Sequence, residues 1–346
     1  MLIIGCNNGG GEDPQKVFLT SIANLGKGFL DVFVTFGDMI TGAFGIKAET
    51  KKSDVGKYFA DIEKTMTSVK NKLNTVVAEN SNYPKVKEVV DQFITGILDK
   101  IAKGAKIAAS GATDGVSIGG VVKSDSAGNG PDTESMKNLV VGIKEIVDLV
   151  IKEGDGQADK TKPVDDDKKK IGKLFGAKTD ANNGAEDKHV AAASASIGAV
   201  SGADILKAIA AANADAKKDG KVKDATDAAA LALAKGTSTD NEDQLGDSAK
   251  KDAIIAAGIA LRAMAKDGKF IVKDTAANKT EAESAKGVAA SAVGKTLSTL
   301  IIAIRNTVDS GLKTINEVLA TVKQEDKSVE VTNTAESTAS VKNKEL

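Results

Sequence analysis

Residues 293–322 read VGKTLSTLIIAIRNTVDSGLKTINEVLATV. Val293, Leu297, Leu300, Ile301, Ile304, Val308, Leu312, Ile315, Leu319 and Val322 recur at steps of three and four. That spacing lays apolar side chains along one face of an α-helix. No proline interrupts the run. Upstream, Thr280-Glu281-Ala282-Glu283 has the spacing of a capping box, in which a hydroxyl and a carboxylate each answer an orphan N–H. Such a helix spans about 60 Å at 1.5 Å per residue. Only helices of comparable reach can cover its apolar face, so the fold class turns on whether the chain supplies them.

It does. Asp13 before Pro14 is an N-cap followed by proline at the first helical position. From there Phe18, Ile22, Leu25, Phe29, Val32, Phe36, Ile40 and Ala43 form one stripe. Ser53 is expected to cap a second helix carrying Val55, Phe59, Ile62, Met66, Val69, Leu73 and Val76, stopped at Asn80-Ser81-Asn82. Pro84 opens a third, and Asp132 caps a fourth that carries Met136, Leu139, Val140, Ile143, Ile146, Val147 and Val150. The middle is different: short alanine-rich helices alternate with Asp/Lys/Gly loops. Nine of the eleven aromatics precede residue 94, leaving only Phe175 and Phe270 later. Small side chains bury little area each, so the late region is expected to pack more weakly. The segments 216–224 and 265–274 echo each other around an Asp-Gly pair, read as a local duplication or a paired two-strand clip. The fold class is therefore all-α. It is an elongated helical bundle with long N- and C-terminal helices packed together, shorter alanine-rich helices and loops in the middle, and at most very short β-strands.

Composition narrows function. The chain has 346 residues, 47 basic against 48 acidic, a net charge of −1, one Cys and one His. No global field recruits nucleic acid, and only Arg262 and Arg305 offer a guanidinium for bidentate phosphate or base contacts. A single cysteine forms no intrachain disulfide, and a single histidine builds no multi-histidine metal site.

The chain opens Met1-Leu2-Ile3-Ile4-Gly5-Cys6-Asn7-Asn8. Apolar residues, a small residue and then cysteine are what a bacterial lipoprotein processing site requires. Cys6 is the lipid-anchor candidate: its thiol supplies the thioether to diacylglycerol, and the Asn/Gly run after it is a flexible tether. A full signal has a basic region and about 7–15 apolar residues, whereas five residues precede Cys6 and none is basic. Either the start lies inside a longer signal or the match is chance and Cys6 is a free cysteine in a frayed tail. The expected organisation is a truncated signal remnant at 1–5, a lipidated tether at 6–13, one elongated helical unit at 14–323 with a loop-rich variable part at about 110–280, and a disordered polar tail at 324–346. The most apolar later stretch, Phe29 to Ile46, is interrupted by Asp31 and Asp38, so no transmembrane helix is expected.

Other motifs dissolve on inspection. Ala289 to Thr296 fits a loose P-loop, but the apolar stripe runs straight through it, and no strand or glycine-rich loop precedes Gly294-Lys295-Thr296. His189 reads as a solvated loop or helix-start residue. The charge run Asp165 to Lys170 lacks calcium-loop spacing and reads as a solvated loop. Asn278-Lys279-Thr280 is a glycosylation sequon without force in a bacterial lipoprotein. No catalytic, cofactor-binding or metal-ligating residue is assigned, and the chain is read as no enzyme.

Several long segments resemble one family. Leu19 to Phe33 (LTSIANLGKGFLDVF) and Lys51 to Phe59 (KKSDVGKYF) are similar to the variable large proteins of relapsing-fever spirochaetes. Lys250 to Phe270 resembles an invariable region shared with the variable surface lipoprotein of Lyme spirochaetes, and Gly287 to Leu319 resembles the family's closing helix. The resemblance implies an outer-membrane lipoprotein anchored at Cys6, facing outward and meeting host antibodies, with one allele expressed at a time so that switching evades them. Variation is expected in the loops near Ser110–Pro131, Gly154–Gly184 and Gly236–Gly246. The alternative is an adhesin for host surface ligands, which needs a basic or apolar patch on its distal face.

Overall fold

The computed structural model describes residues 14–39, 45–123, 130–161, 165–177, 183–236, 243–274 and 280–326. Five long elements frame the molecule. They are α1 (Pro14–Met39), α2 (Lys52–Glu79), α3 (Pro84–Phe93) continuing through a π-turn at Ile94–Leu98 into α4 (Asp99–Gly111), α5 (Thr133–Val150) and, at the end of the chain, α11 (Thr280–Ala320). Between α5 and α11 lie shorter helices: α6 (Asp165–Lys169), α7 (Asp187–Ala199), α8 (Gly202–Ala210), α9 (Ala228–Leu233) and α10 (Asp252–Met264). The strands β1 (Val121–Val122) and β2 (Phe270–Ile271) pair in parallel, Val121 opposite Phe270 and Val122 opposite Ile271.

The stripe of residues 293–319 is the buried face of α11, with Val293, Leu297, Leu300, Ile301, Ile304, Val308, Leu312, Ile315 and Leu319 all in the core. α1 runs antiparallel to it: Gly26 lies against the Leu319 side chain, and Phe33 shares a groove with Asp309 and Lys313. Residues 14 and 326 therefore sit at the same end. Phe18 packs its ring on Tyr83 there, with centroids 6.4 Å apart. Ile40 and Ala43 lie outside the described residues. Two glycines, Gly104 and Gly142, set one close crossing. A Cβ on Gly142 would come within 2.4 Å of Ala108 N and 2.5 Å of Gly104 O, so α4 and α5 meet backbone to backbone.

Several expectations need correction. α2 begins at Lys52 rather than after Ser53. Its free N–H groups are met by the 112–118 segment, Lys52 N donating to Val116 O and Ser53 N to Asp114 O, while Asp54 accepts from Lys51 N at 3.0 Å. Gln324–Asp326, read as the start of the tail, form a 3₁₀ turn, and residues 327–346 lie outside the described residues. The alanine-rich region is not weakly packed: every residue of α10 is buried. Small side chains let α7, α8, α9 and α11 close around it, so close approach replaces area per residue. The two echoed turns do share a backbone device, Asp219 (φ 63°) and Asp267 (φ 65°) each taking the left-handed conformation before a glycine. They do not pair with each other. Lys221 bridges to Lys235, whereas the strand after Asp267 pairs with β1.

By length and composition alone, two helices among the described residues could cross a membrane: Gln15–Val34 within α1, and α11. The apolar window of α1 thus begins before the Phe29–Ile46 stretch and overlaps only its first six residues. Half of the corresponding window in α11 is buried inside the protein, and a bilayer could replace those contacts only by dismantling the core.

Candidate functional site

The shorter helices around α10 are organised by buried charge. α10 begins with Asp252 and carries Arg262 in its last turn, and neither side chain has accessible surface. Asp252 Oδ2 accepts from the backbone N–H groups of Lys160 (2.7 Å) and Thr161 (2.6 Å), and Oδ1 accepts from the Thr161 hydroxyl (2.6 Å). Lys168 Nζ reaches Asp252 Oδ1 at 2.8 Å and Asp159 Oδ1 at 2.6 Å. Burial alone would raise the Asp252 carboxyl, but the hydrogen bonds from Lys168 and Thr161 outweigh it and hold the group down at about 2. A carboxylate at a helix N-terminus also meets the positive end of the helix dipole. The stretch 154–161, which the sequence shows only as a polar loop, is tied to α10 by this network.

Helix C-termini carry the opposite solution. Four carbonyls at each such end lack intrahelical partners, and cations from distant helices supply them. Lys52 Nζ donates to Ala263 O and to Arg262 O (3.4 Å) at the end of α10. Arg262 Nη1 donates to Ala232 O (2.8 Å) and Ala234 O (3.1 Å) at the end of α9, and Nε donates to Lys269 O (2.6 Å). Its guanidinium lies 5.9 Å from the centre of the Phe175 ring, which meets Phe270 edge-on. The only two aromatics of the late region are thus in contact. Lys295 Nζ donates to Ile197 O (2.8 Å) near the end of α7.

The motif residues of the sequence find structural duties. Gly294-Lys295-Thr296 is interior to α11, with Thr296 Oγ1 bonded to Ala292 O at 2.7 Å and Lys295 on α7. His189 is at a helix start, as expected, but it is buried rather than solvated. Its Nδ1 accepts from Glu186 N at 3.0 Å and closes the first turn of α7. Burial lowers its pKa to about 4, so the ring is neutral at pH 7. The run Asp165 to Lys170 is no solvated loop: it forms α6 and the start of a 3₁₀ turn (Lys170–Leu174), with Lys168 pointing inward to Asp252. Among the described residues no group of His, Cys, Asp and Glu is placed to hold a metal. Cys6, Asn278 and Lys279 lie outside the described residues.

Lys52 carries a testable consequence. Burial lowers its ammonium to about 7 from an ordinary 10.5. Between those values the unfolded chain binds the proton and the folded one does not, so stability rises with pH across that window. Urea unfolding is expected to show greater stability at pH 9 than at pH 7 from this group. In Lys52→Met the increment should vanish. An unchanged increment would remove Lys52 as its source.

These are the arrangements of a scaffold whose polar chemistry holds helix ends and loops in place. The sequence profile of the Borrelia lipoprotein family matches residues 29–319. Variable large protein 17 of Borrelia hermsii is 64% identical over 343 residues, covering 98% of this chain and 95% of that protein. Variable large protein 4 of the same organism is 58% identical over 344 residues, covering 98% and 96%. The crystal structure of the Lyme disease variable surface antigen VlsE of Borrelia burgdorferi matches with a TM-score of 0.74 at 35% identity, over 87% of this chain and 98% of that one. A match of this extent in sequence and in fold places the chain in the Borrelia lipoprotein family, among its variable large proteins.

Proposed function

We propose that this protein is a surface antigen held to the outer membrane by lipid on Cys6, facing outward, and that it serves immune evasion by antigenic variation. The observation that carries the reading is the division of labour in the fold. Asp252, Lys168, Lys52, Arg262 and Lys295 are committed to internal ties. The segment that resembles an invariable region, Lys250–Phe270, contains the wholly buried α10. A buried frame of this kind tolerates exchange of the loops it carries, which is what replaceable display to host antibodies requires. Two proteins of one organism, matching this chain over nearly its full length at 58% and 64% identity, support a set of alternative versions.

The test is protease treatment of intact producing cells, followed by a blot beside a periplasmic control. Loss of the protein with the control intact is expected. Loss only after permeabilisation would place it below the surface and overturn the reading.

A further inference from the structure

Six large apolar side chains stand exposed among the described residues, and four of them, Leu19, Leu30, Phe33 and Val34, belong to α1. At 100° per residue, Leu19, Ala23, Leu30 and Val34 fall in a strip about 60° wide. The packed face, Leu25, Phe29, Val32 and Phe36, lies on another arc. α1 therefore has two apolar faces, one in the core and one outward. Thr20, Asn24 and Asp31 occupy a polar arc on one side, while Ile22, Gly26 and Phe33 join the two faces on the other, so the helix can rest on its partner helices and on an apolar surface at once.

What covers the strip follows from its place in the chain. This step rests on Cys6 being the lipid anchor. Seven residues lie between Cys6 and Pro14, a reach of at most about 28 Å when fully extended, so the start of α1 stays in the neighbourhood of the bilayer. Lys16 and Lys27 border the strip, where aliphatic stems can lie along the acyl boundary with ammonium groups among the headgroups. A second copy is a poorer fit: such a patch is on the order of 300–400 Å², about half of the roughly 800 Å² per partner in a stable interface. We propose that the outward strip of α1 beds in the headgroup–acyl boundary of the membrane that holds the anchor. The tether supplies the effective concentration that makes a weak contact persistent.

The test separates this contact from acylation. The full chain, with a hexahistidine in place of residues 1–6, is held on vesicles of phosphatidylcholine, phosphatidylglycerol and a nickel-chelating lipid. A fluorophore is placed on Leu30→Cys or, as a control on α5, on Lys144→Cys. With a spin-labelled phospholipid in the bilayer, the label at 30 is expected to lose most of its emission and the label at 144 to keep it. Adding Ala23→Glu to the first protein should restore the emission without changing its thermal melt. Equal emission from both labels would overturn the proposal. So would a concentration-dependent dimer in vesicle-free solution that protects the label at 30, because a second copy would then cover the strip. Mass spectrometry of the native protein reads acylation of Cys6 independently, so quenching without acylation would sink the anchor reading and leave the helix contact standing.

Discussion

Arg262→Met is expected to lower the unfolding free energy by about 3–5 kcal/mol, three buried carbonyls losing a charged donor at roughly 1–3 kcal/mol each, and the melting temperature by roughly 10 °C, read by circular dichroism. Methionine fills much of the same volume and keeps the aliphatic contacts inside α10. It donates nothing to Ala232 O, Ala234 O and Lys269 O, which the guanidinium now meets at 2.6–3.1 Å without any accessible surface. Buried acceptors without donors carry the full desolvation cost. The end of α9 and the turn before β2 should loosen together, because one side chain serves both. Arg262→Lys should recover part of the loss, since an ammonium reaches fewer of the three carbonyls than a planar fork. A methionine variant within about 1 kcal/mol of the native protein, the size of one ordinary hydrogen bond, would show that the guanidinium is not the tie described.

Asp252→Ala is expected to cost a similar amount, about 3–5 kcal/mol. It strands the Lys168 ammonium, whose side chain is 8% exposed, with Asp159 as its remaining carboxylate, and takes the acceptor from two backbone N–H groups. Replacing Lys168 by Met in the same chain should return part of the loss, because the stranded charge is gone; the double-mutant cycle reads that coupling. The carboxylate also has a pH signature. Its folded pKa, about 2, lies below the ordinary 3.8, so its stabilisation is complete above 3.8 and is lost as pH falls through 2. The native protein should lose stability more steeply than Asp252→Ala between pH 4 and pH 2. Parallel curves would assign the acid sensitivity elsewhere.

The parts of the fold that were legible in the sequence are those where burial is one-sided. α2, α5 and α11 each show a polar face to water, so a 3.6-residue period survives in Val55 to Val76, Met136 to Val150 and Val293 to Leu319. α10 has no polar face, and a helix covered on all sides leaves no period to read. Its signal was of another kind: an arginine inside the run Ala253 to Met264, which has no other charged residue, marks a cation that must be answered internally. Lys52 and Lys168 gave no local sign. Their partners are 211 and 84 residues away, and a lysine beside other lysines reads as surface. His189 was placed correctly at a helix start, but its burial depends on the packing around α7, which no neighbour in sequence reports. Cys6 as the proposed anchor is read from its neighbours in sequence and lies outside the described residues, whereas the outward apolar face of α1 emerged only once α2 and α11 had claimed the other.

The tie from Lys52 to the carbonyl of Ala263 bears on how the protein is made. The Tyr58 hydroxyl likewise waits for the carbonyl of Leu297, 239 residues later, and β1 waits for β2. Closing loops of this length costs entropy before any contact rewards it, and chains dominated by such distant pairings fold slowly. The start of α2 thus stays unfinished until the last quarter of the chain is being synthesised. A nascent polypeptide of this kind keeps the start of α2 open for most of its production, and the two ends of the sequence lock together only near its completion.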